Sequence, residues 1–267
     1  MSTQHTVIVG GSSGIGLATA RKLLGSGHKV TITGRNERKL KNARMSSQGD
    51  LSALAMNAAD SAGVRDAFGR IGSFDHLVLA LGSGKGAGPF ASVSLADVRQ
   101  GFEEKVFPHF ACAQSALPFL GSTGSITFIA AVTAHAAMPG TAGIGAANAA
   151  VAALVPILAA ELKPLRVNCV SPGVIDTPWW DFLTDEQKAP VFADFAAKAP
   201  VGRVGTADDI AQAIAFLISD TFMSGQVIIC DGGLRLAAYS YCVITLDDVF
   251  VAGSMGIVAR CERWHVR

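Results

Sequence analysis

The stretch from Val7 to Leu24 constrains the fold of this chain more than any other. A short β-branched run, Val7 to Val9, leads directly into the glycine-rich segment at 10–16, and an apolar, helix-like segment follows to Leu24. Glycine lets the backbone turn sharply and approach a ligand closely, and the N–H groups that begin a helix favour a phosphate. The glycines follow the spacing G-x-x-x-G-x-G, a variant of the dinucleotide fingerprint. The stretch predicts a strand, a turn and a helix that bind a dinucleotide, with a plain tight turn as the alternative.

The rest of the chain alternates predicted strands and helices. The strands are apolar runs at 7–9, 29–33, 51–56, 75–81, 124–130, 166–170 and 226–230. Alternation of this kind favours a doubly wound α/β fold, and continuous apolar strands are typical of a parallel sheet covered on both faces. We expect one domain over residues 1–236. Residues 237–267 break the pattern, and three readings of this C-terminal tail stay open: an extra packed element, an assembly segment or a poorly ordered end.

Composition excludes several classes of function. Half of the 267 residues are hydrophobic, 16% are charged, and the formal net charge is +1. That balance does not favour nucleic acid or an anionic membrane as a partner. The five cysteines are scattered without a C-x-x-C pair, so we expect reduced thiols, a cytoplasmic location and no metal site. We also expect no signal peptide and no apolar run long enough to span a bilayer.

Several short motifs recur in the order found in a known family. They are the glycine turn, Asp75 to Val78, Arg166 to Asn168, Ser171 to Gly173, and Asp231 to Gly233. With them, the chain resembles the short-chain dehydrogenase/reductase family over about residues 5–236. The resemblance implies a Rossmann-type single domain of seven parallel strands, a small-molecule substrate, and assembly as a homodimer or homotetramer.

The cofactor follows from the end of the second strand, which in this fold faces the adenosine ribose. An acidic residue there suits the ribose hydroxyls, whereas a basic residue suits a 2′-phosphate. This chain carries Arg35 and no neighbouring acid, which favours NADP(H); a surface arginine is the alternative reading. By resemblance, Asn57 would lie near the adenine, Gly82 ends a cofactor loop, and the segment at 171–177 would hold the nicotinamide amide. The predicted cofactor residues are Gly10, Ser12, Ser13, Gly14, Ile15, Gly16, Arg35, Asn36, Asn57, Gly82, Asn148, Pro172, Gly173, Ile175 and Thr177.

The family's catalytic pattern is not found at the matching positions. In that pattern a tyrosine protonates the carbonyl, a lysine four residues later lowers its pKa, a serine polarises the carbonyl, and an asparagine supports a water relay. The matching positions here hold Ile144, Asn148, Ala131 and Lys105, and the only tyrosines are at 239 and 241. Hydride addition to a neutral ketone creates an alkoxide, so loss of the acid raises the barrier by several kcal/mol. Reduction of an ordinary ketone is therefore in doubt.

Two alternatives would restore chemistry. Another residue could donate the proton, and the candidates are His135, Lys105 and His109; a simple loop histidine is the other reading of His135. Hydride transfer to an iminium ion needs no acid, only a nearby anion such as Asp176 or Asp181, and an aromatic face helps. Trp179 and Trp180 would supply that face, unless they serve only to pack a lid.

Three functional classes therefore stay open from the sequence. The first is an NADP(H)-dependent oxidoreductase acting on an activated substrate such as an iminium ion, in the manner of some short-chain reductases of secondary metabolism. The second is a non-redox cyclase that uses NADP⁺ as a fixed charge. The third is a catalytically silent NADP(H)-binding sensor.

Overall fold

The computed structural model describes residues 3–236 of the chain. Seven parallel strands form one sheet in the order β3-β2-β1-β4-β5-β6-β9. The strands are β1 (His5–Val9), β2 (Lys29–Gly34), β3 (Leu51–Ala55), β4 (Phe74–Leu79), β5 (Leu120–Ile129), β6 (Arg166–Pro172) and β9 (Val227–Cys230). Two-residue strands β7 (Ile175–Asp176) and β8 (Gly205–Thr206) pair with each other outside the sheet. The predicted doubly wound parallel α/β fold is confirmed.

Seven helices connect these strands. They are α1 (Gly14–Gly25), α2 (Glu37–Met45), α3 (Ser61–Ile71), α4 (Leu95–Ala116), α5 (Ala142–Glu161), α6 (Asp185–Lys198) and α7 (Ala207–Ser219). Local sequence sets several of the starts. Thr184 and Thr206 form capping boxes at α6 and α7, and Ser94 caps α4 by accepting a hydrogen bond from the Asp97 N–H.

The sheet divides the core into two layers. Successive residues of a strand point to opposite faces, so Val7 and Val9 belong to one layer and Ile8 to the other. Buried residues of α3, α4 and α5 complete the first layer, and those of α1, α2 and α7 complete the second. Because helices cover both faces, the carboxyl edge of the sheet is where a ligand can reach the strand ends.

Two boundaries differ from the sequence prediction. The sequence predicts a long helix from Ser94 to about Leu120, with Pro108 and Pro118 as irregularities. The helix ends at Ala116, and a 3-10 turn at Leu117–Phe119 follows because Pro118 cannot donate a helical hydrogen bond. Pro108, predicted as an irregularity, lies inside α4. The strand predicted to begin at residue 124 begins at Leu120, where it pairs with Phe74 of β4 before the register shifts.

The expectation that no apolar run is long enough to span a bilayer is wrong. Helix α5 is long and apolar enough, by length and composition alone, to cross a bilayer, with a mean hydropathy of 1.9 in its most apolar stretch. This single helix is weak evidence for a membrane span, because buried helices of globular folds meet the same criterion. Here α5 packs against α4, β5 and β6, and 39% of the stretch is buried. The tail predicted over residues 237–267 lies outside the described residues.

Candidate cofactor and substrate site

The glycine turn between β1 and α1 is closed by main-chain contacts. Gly10 has a φ of 82°, and a Cβ there would lie 2.4 Å from the Ala80 carbonyl oxygen. A Cβ on Gly16 would lie 2.3 Å from the Gly10 carbonyl oxygen. The N–H groups of Gly10 and Gly11 both donate to the Thr33 carbonyl at 3.0 Å. Glycine is therefore required at positions 10 and 16, because any side chain there would push the turn away from its neighbours.

The turn leaves the start of α1 available to a ligand. Ser13 is the N-cap residue, but its side chain makes no capping hydrogen bond. The first turn of α1 contains no acidic residue. Because the first N–H groups of a helix lack internal partners, this end of α1 can bind an anion.

A cleft of about 740 Å³ opens beside this turn at the carboxyl edge of the sheet. Seven of the predicted cofactor residues line it, namely Gly10, Ser12, Ser13, Arg35, Asn36, Asn57 and Gly82. The cleft is also lined by residues that were not predicted, namely Val9, Gly34, Lys39, Met56, Ala58, Ala59, Ala80, Leu81, Glu104 and Pro108. The cleft therefore joins the glycine turn to the ends of β2, β3 and β4.

The end of the cleft beside β2 carries two cationic side chains. Arg35 follows β2, and Lys39 lies in the first turn of α2; both residues are exposed. The Asn36 side chain accepts a hydrogen bond from the Lys39 N–H at 2.9 Å, which begins α2 at this point. Lys39 was missed from the sequence because its approach to the cleft depends on where α2 starts. Together Arg35 and Lys39 suit a phosphate on the adenosine ribose.

The lining also includes one carboxylate, that of Glu104 on α4. Its Oε2 accepts from the Ser83 hydroxyl at 2.7 Å, and its Oε1 accepts from the Gln100 amide at 2.8 Å. These bonds direct the carboxylate toward the loop after β4. Glu104 was not predicted, because only the fold brings α4 against that loop.

Eight predicted cofactor residues lie outside the lining of this cleft. They are Gly14, Ile15, Gly16, Asn148, Pro172, Gly173, Ile175 and Thr177. A Cβ on Gly14 would lie 3.4 Å from the Thr177 Cβ, and one on Gly84 would lie 3.5 Å from the Trp179 ring. The 177–179 segment therefore lies against both the glycine turn and the loop after β4. The cofactor roles of these eight residues stay predictions.

The loop that follows β4 is fixed to α4 and α5. The Gly86 N–H donates to Asp97 of α4 at 3.1 Å, and the Ile144 N–H of α5 donates to the Gly86 carbonyl at 3.2 Å. A Cβ on Gly143 would lie 2.5 Å from the same Gly86 carbonyl oxygen. This contact brings the first turn of α5 against the loop and sets the position of residue 144.

The positions matched to the family's serine, tyrosine and lysine lie at the end of β5 and in α5. Ala131 lies two residues after the end of β5, just before a 3-10 turn, and Ile144 is half-buried in the first turn of α5. Asn148 is buried, and its amide donates to the Thr133 hydroxyl at 3.0 Å and to the Ile144 carbonyl at 2.9 Å. The buried Asn148 Oδ1 has no hydrogen-bond partner among residues 3–236. Asn148 therefore has one buried acceptor that could take a hydrogen bond from a ligand.

Lys105 of α4 lies beneath the strand ends and outside the cleft lining. It is 5% exposed, and its Nζ donates to the Leu81 carbonyl at 3.1 Å, the Ile129 carbonyl at 3.1 Å and the Ala130 carbonyl at 3.5 Å. Burial lowers the pKa of Lys105 to about 8. The structure gives Lys105 a fixed place among main-chain carbonyls, so direct proton donation by Lys105 to a substrate is unsupported.

The other two candidate catalytic residues lie in exposed positions. His135 ends a 3-10 turn after β5, and partial burial and the charge of Arg235 lower its pKa. Asp176 is exposed and forms an ion pair with Lys188 of α6. This pairing leaves Asp176 a poorer counter-ion for a cationic substrate than the sequence suggested. The catalytic roles of His135 and Asp176 stay predictions.

The lining of the cleft fits a dinucleotide. The glycine turn and the first N–H groups of α1 suit a pyrophosphate, and Arg35 and Lys39 suit a 2′-phosphate. The site therefore suits NADP(H). Within residues 3–236, no three His, Cys, Asp or Glu side chains converge as a metal site.

Comparisons with known proteins give the same classification. A family model described as enoyl-(acyl carrier protein) reductase matches residues 9–235. The chain is 31% identical over 239 residues to a cis-4-hydroxycyclohexanecarboxylate dehydrogenase of Sinomonas cyclohexanicum, covering 85% of this chain and 94% of that protein. It is 30% identical over 242 residues to a 3-oxoacyl-[acyl-carrier-protein] reductase of Rickettsia bellii, covering 88% and 98%.

A solved structure agrees in fold. The crystal structure of a small-chain dehydrogenase in complex with NADPH is 29% identical in sequence, with a TM-score of 0.77. The alignment covers 88% of this chain and all of that one. The parallel sheet order, the glycine turn and these matches lead to one conclusion: the chain belongs to the short-chain dehydrogenase/reductase family.

Proposed function

We propose that this protein is an NADP(H)-dependent oxidoreductase that transfers hydride to an activated small-molecule substrate without a tyrosine acid. The observation that carries the proposal is the cleft in which the glycine turn and the Arg35–Lys39 pair lie at one strand edge. The related proteins named above are a dehydrogenase and a reductase, and the structural relative holds NADPH.

The residues of the cleft divide the binding of the cofactor between them. Arg35 and Lys39 would bind the 2′-phosphate, because each is a cation at the end of β2. The start of α1 would bind the pyrophosphate through its N–H groups. When bound, NADPH supplies a hydride. Everything else that a reduction needs, namely orientation of the substrate and control of charge, must come from the protein.

The positions matched to the family's serine, tyrosine and lysine carry few groups that could protonate or stabilise an alkoxide. Ile144 and Ala131 carry no group that can donate a proton, and the Asn148 amide is already bonded to Thr133 and Ile144. A substrate that is already activated avoids this difficulty, because its reduction needs less acid assistance. An iminium ion is one such substrate, and an electron-poor conjugated carbonyl is another. The pairing of Asp176 with Lys188 does not favour the iminium ion.

Cofactor choice is tested first, with purified protein and fluorescence titration of NADPH and NADH. We expect NADPH to bind more tightly, and Arg35→Asp to reverse that preference because the carboxylate repels the 2′-phosphate. Arg38→Asp is the matched control, since Arg38 is an exposed neighbour in α2 that does not line the cleft. Equal binding of NADPH and NADH by the unaltered protein would contradict the proposed cofactor.

Substrate class is tested by NADPH oxidation with a panel of a simple ketone, a conjugated enone, an enoyl thioester and a cyclic iminium ion. We expect turnover with at least one activated member and little with the ketone. Turnover of the simple ketone at the rate of the activated members would refute the proposal. NADPH binding without any oxidation would favour the cyclase or the sensor instead.

Assembly is a separate expectation. Phe107 and Phe110 of α4 and Ile157 of α5 are exposed apolar side chains on two helices that pack together. Burial of such a surface between copies would support the homodimer or homotetramer predicted by resemblance. Light scattering coupled to size-exclusion chromatography decides this, and a monomer at micromolar concentration would contradict it.

A further inference from the structure

The feature that the proposed function leaves unused is the buried side chain of Lys105. Its ammonium lies among three carbonyl oxygens, those of Leu81, Ile129 and Ala130, at distances of 3.1, 3.1 and 3.5 Å. These carbonyls belong to the carboxyl ends of β4 and β5 or to the residues just beyond them. The charge of Lys105 is therefore held at the edge of the sheet where the site opens.

No ion pair compensates the charge of Lys105 within residues 3–236; the carboxylate of the neighbouring Glu104 lines the cleft, but it is hydrogen-bonded to Ser83 and Gln100. Lys105 is absent from the ion pairs of that part of the chain. The thiol of Cys169 interacts with Lys105, but burial raises the pKa of Cys169 to about 12, so it is neutral. One turn along α4, His109 is also neutral, because burial and the charge of Lys105 lower its pKa to about 3.

The ammonium keeps its charge near neutral pH. Burial lowers the pKa of Lys105 only to about 8, so the side chain is predominantly protonated at pH 7. Three carbonyl dipoles stabilise the ammonium but carry no net charge. Because Lys105 is buried, water screens its charge less than it screens the charge of a surface lysine.

The nicotinamide end of the dinucleotide is the part that would lie near the charge of Lys105. Arg35 and Lys39 fix the adenosine end at β2, and the glycine turn of β1 follows. In a doubly wound sheet the ligand continues across the strand ends beyond the switch point, which here lies between β1 and β4. The rest of the dinucleotide must then extend toward β4 and β5, where Lys105 lies.

We infer that Lys105 makes this end of the site reject positive charge, so that it selects reduced over oxidised nicotinamide and excludes iminium ions as substrates. This inference rests on the proposed function, since it assumes that NADP(H) binds. It narrows the substrate to a neutral molecule that gains negative charge when hydride arrives, such as a conjugated carbonyl compound. It also favours release of the oxidised cofactor after reduction.

The test compares three ligands and three proteins. Dissociation constants for NADPH, NADP⁺ and 2′,5′-ADP are measured by calorimetry for the unaltered protein, Lys105→Met and the surface control Lys22→Met. We expect the unaltered protein and the control to bind NADPH roughly 10-fold more tightly than NADP⁺. In Lys105→Met the ratio should fall to about 1–2, whereas the affinity for 2′,5′-ADP should change less than about twofold, since that ligand lacks nicotinamide.

A second measurement needs no variant. In the unaltered protein the preference for NADPH should shrink as the pH rises from 7 to 9, because Lys105 loses its proton while the nicotinamide keeps its charge state. Equal affinities for NADPH and NADP⁺ at pH 7, with 2′,5′-ADP still bound, would overturn the inference alone. Failure of all three ligands to bind would overturn the proposed function and this inference with it.

Discussion

Substitution of Gly16 by alanine tests the glycine turn most directly. The added Cβ would lie 2.3 Å from the Gly10 carbonyl oxygen, about 1 Å short of the 3.4 Å at which ordinary contact begins. The neighbouring atoms belong to the main chain, so the start of α1 or the turn must move by about that distance. Overpacking of this kind costs about 2 kcal/mol, which lowers the Tm of a chain of this size by roughly 4–8 °C.

The same movement should weaken ligand binding. A hydrogen bond between an N–H group and a phosphate does not survive a 1 Å displacement, and a bond to a charged group contributes about 1.5–3 kcal/mol. NADPH affinity should therefore fall by roughly 10–100-fold, as measured by calorimetry. Gly25→Ala is the control in the same helix, because nothing lies within 4 Å of its added Cβ. If Gly16→Ala matched Gly25→Ala in both Tm and affinity, the reasoning about the turn would be refuted.

Four further outcomes are expected. Burial lowers the pKa of His76 from 6.5 to about 4, so the unfolded chain binds more protons than the folded chain between these pH values. Acidification from pH 7 to pH 4 should therefore lower the free energy of unfolding by about 3 kcal/mol through this residue. Urea unfolding measures this loss, which should be smaller in His76→Asn. Lys39→Glu should weaken NADPH binding roughly fivefold in fluorescence titration and leave NADH binding unchanged, whereas Lys41→Glu, outside the cleft, should alter neither. Ile144→Tyr alone should not create a ketone reductase, since Ala131 and Asn148 occupy the positions predicted for the serine and the lysine, and NADPH oxidation with a simple ketone measures this. Trp179 lies against the loop after β4, so NADPH should change its fluorescence emission, and 2′,5′-ADP should change it much less.

The fold was largely predictable because its signals are local. Apolar runs such as Val7 to Val9 predict buried strands, and the glycine spacing at 10–16 predicts a tight turn between strand and helix. The parallel order then follows from alternation of strand and helix. The start of β5 was predicted incorrectly because it depends on pairing across the sheet: the strand begins at Leu120, which pairs with Phe74 of β4.

The site was only partly predictable because much of it depends on contacts between distant segments. Lys39 and Glu104 reach the cleft through the placement of α2 and α4, and nothing near them in the sequence indicates this. Asp176 was chosen as a free anion, but α6 brings Lys188 to it. Lys105 was recognised as an unusual residue, yet its burial among carbonyl groups follows only from the way α4 lies under β4 and β5.

The contact between Gly86 and Gly143 has a consequence for protein engineering. Main chain lies directly on main chain there, and the Ile144 N–H is bonded to the Gly86 carbonyl. These main-chain contacts fix the backbone position of residue 144, and a new side chain there would leave them in place. A library that varies positions 131, 144 and 148 together would sample different chemistries on one unchanged backbone. Any activity that such a library gains could be credited to the side chains themselves.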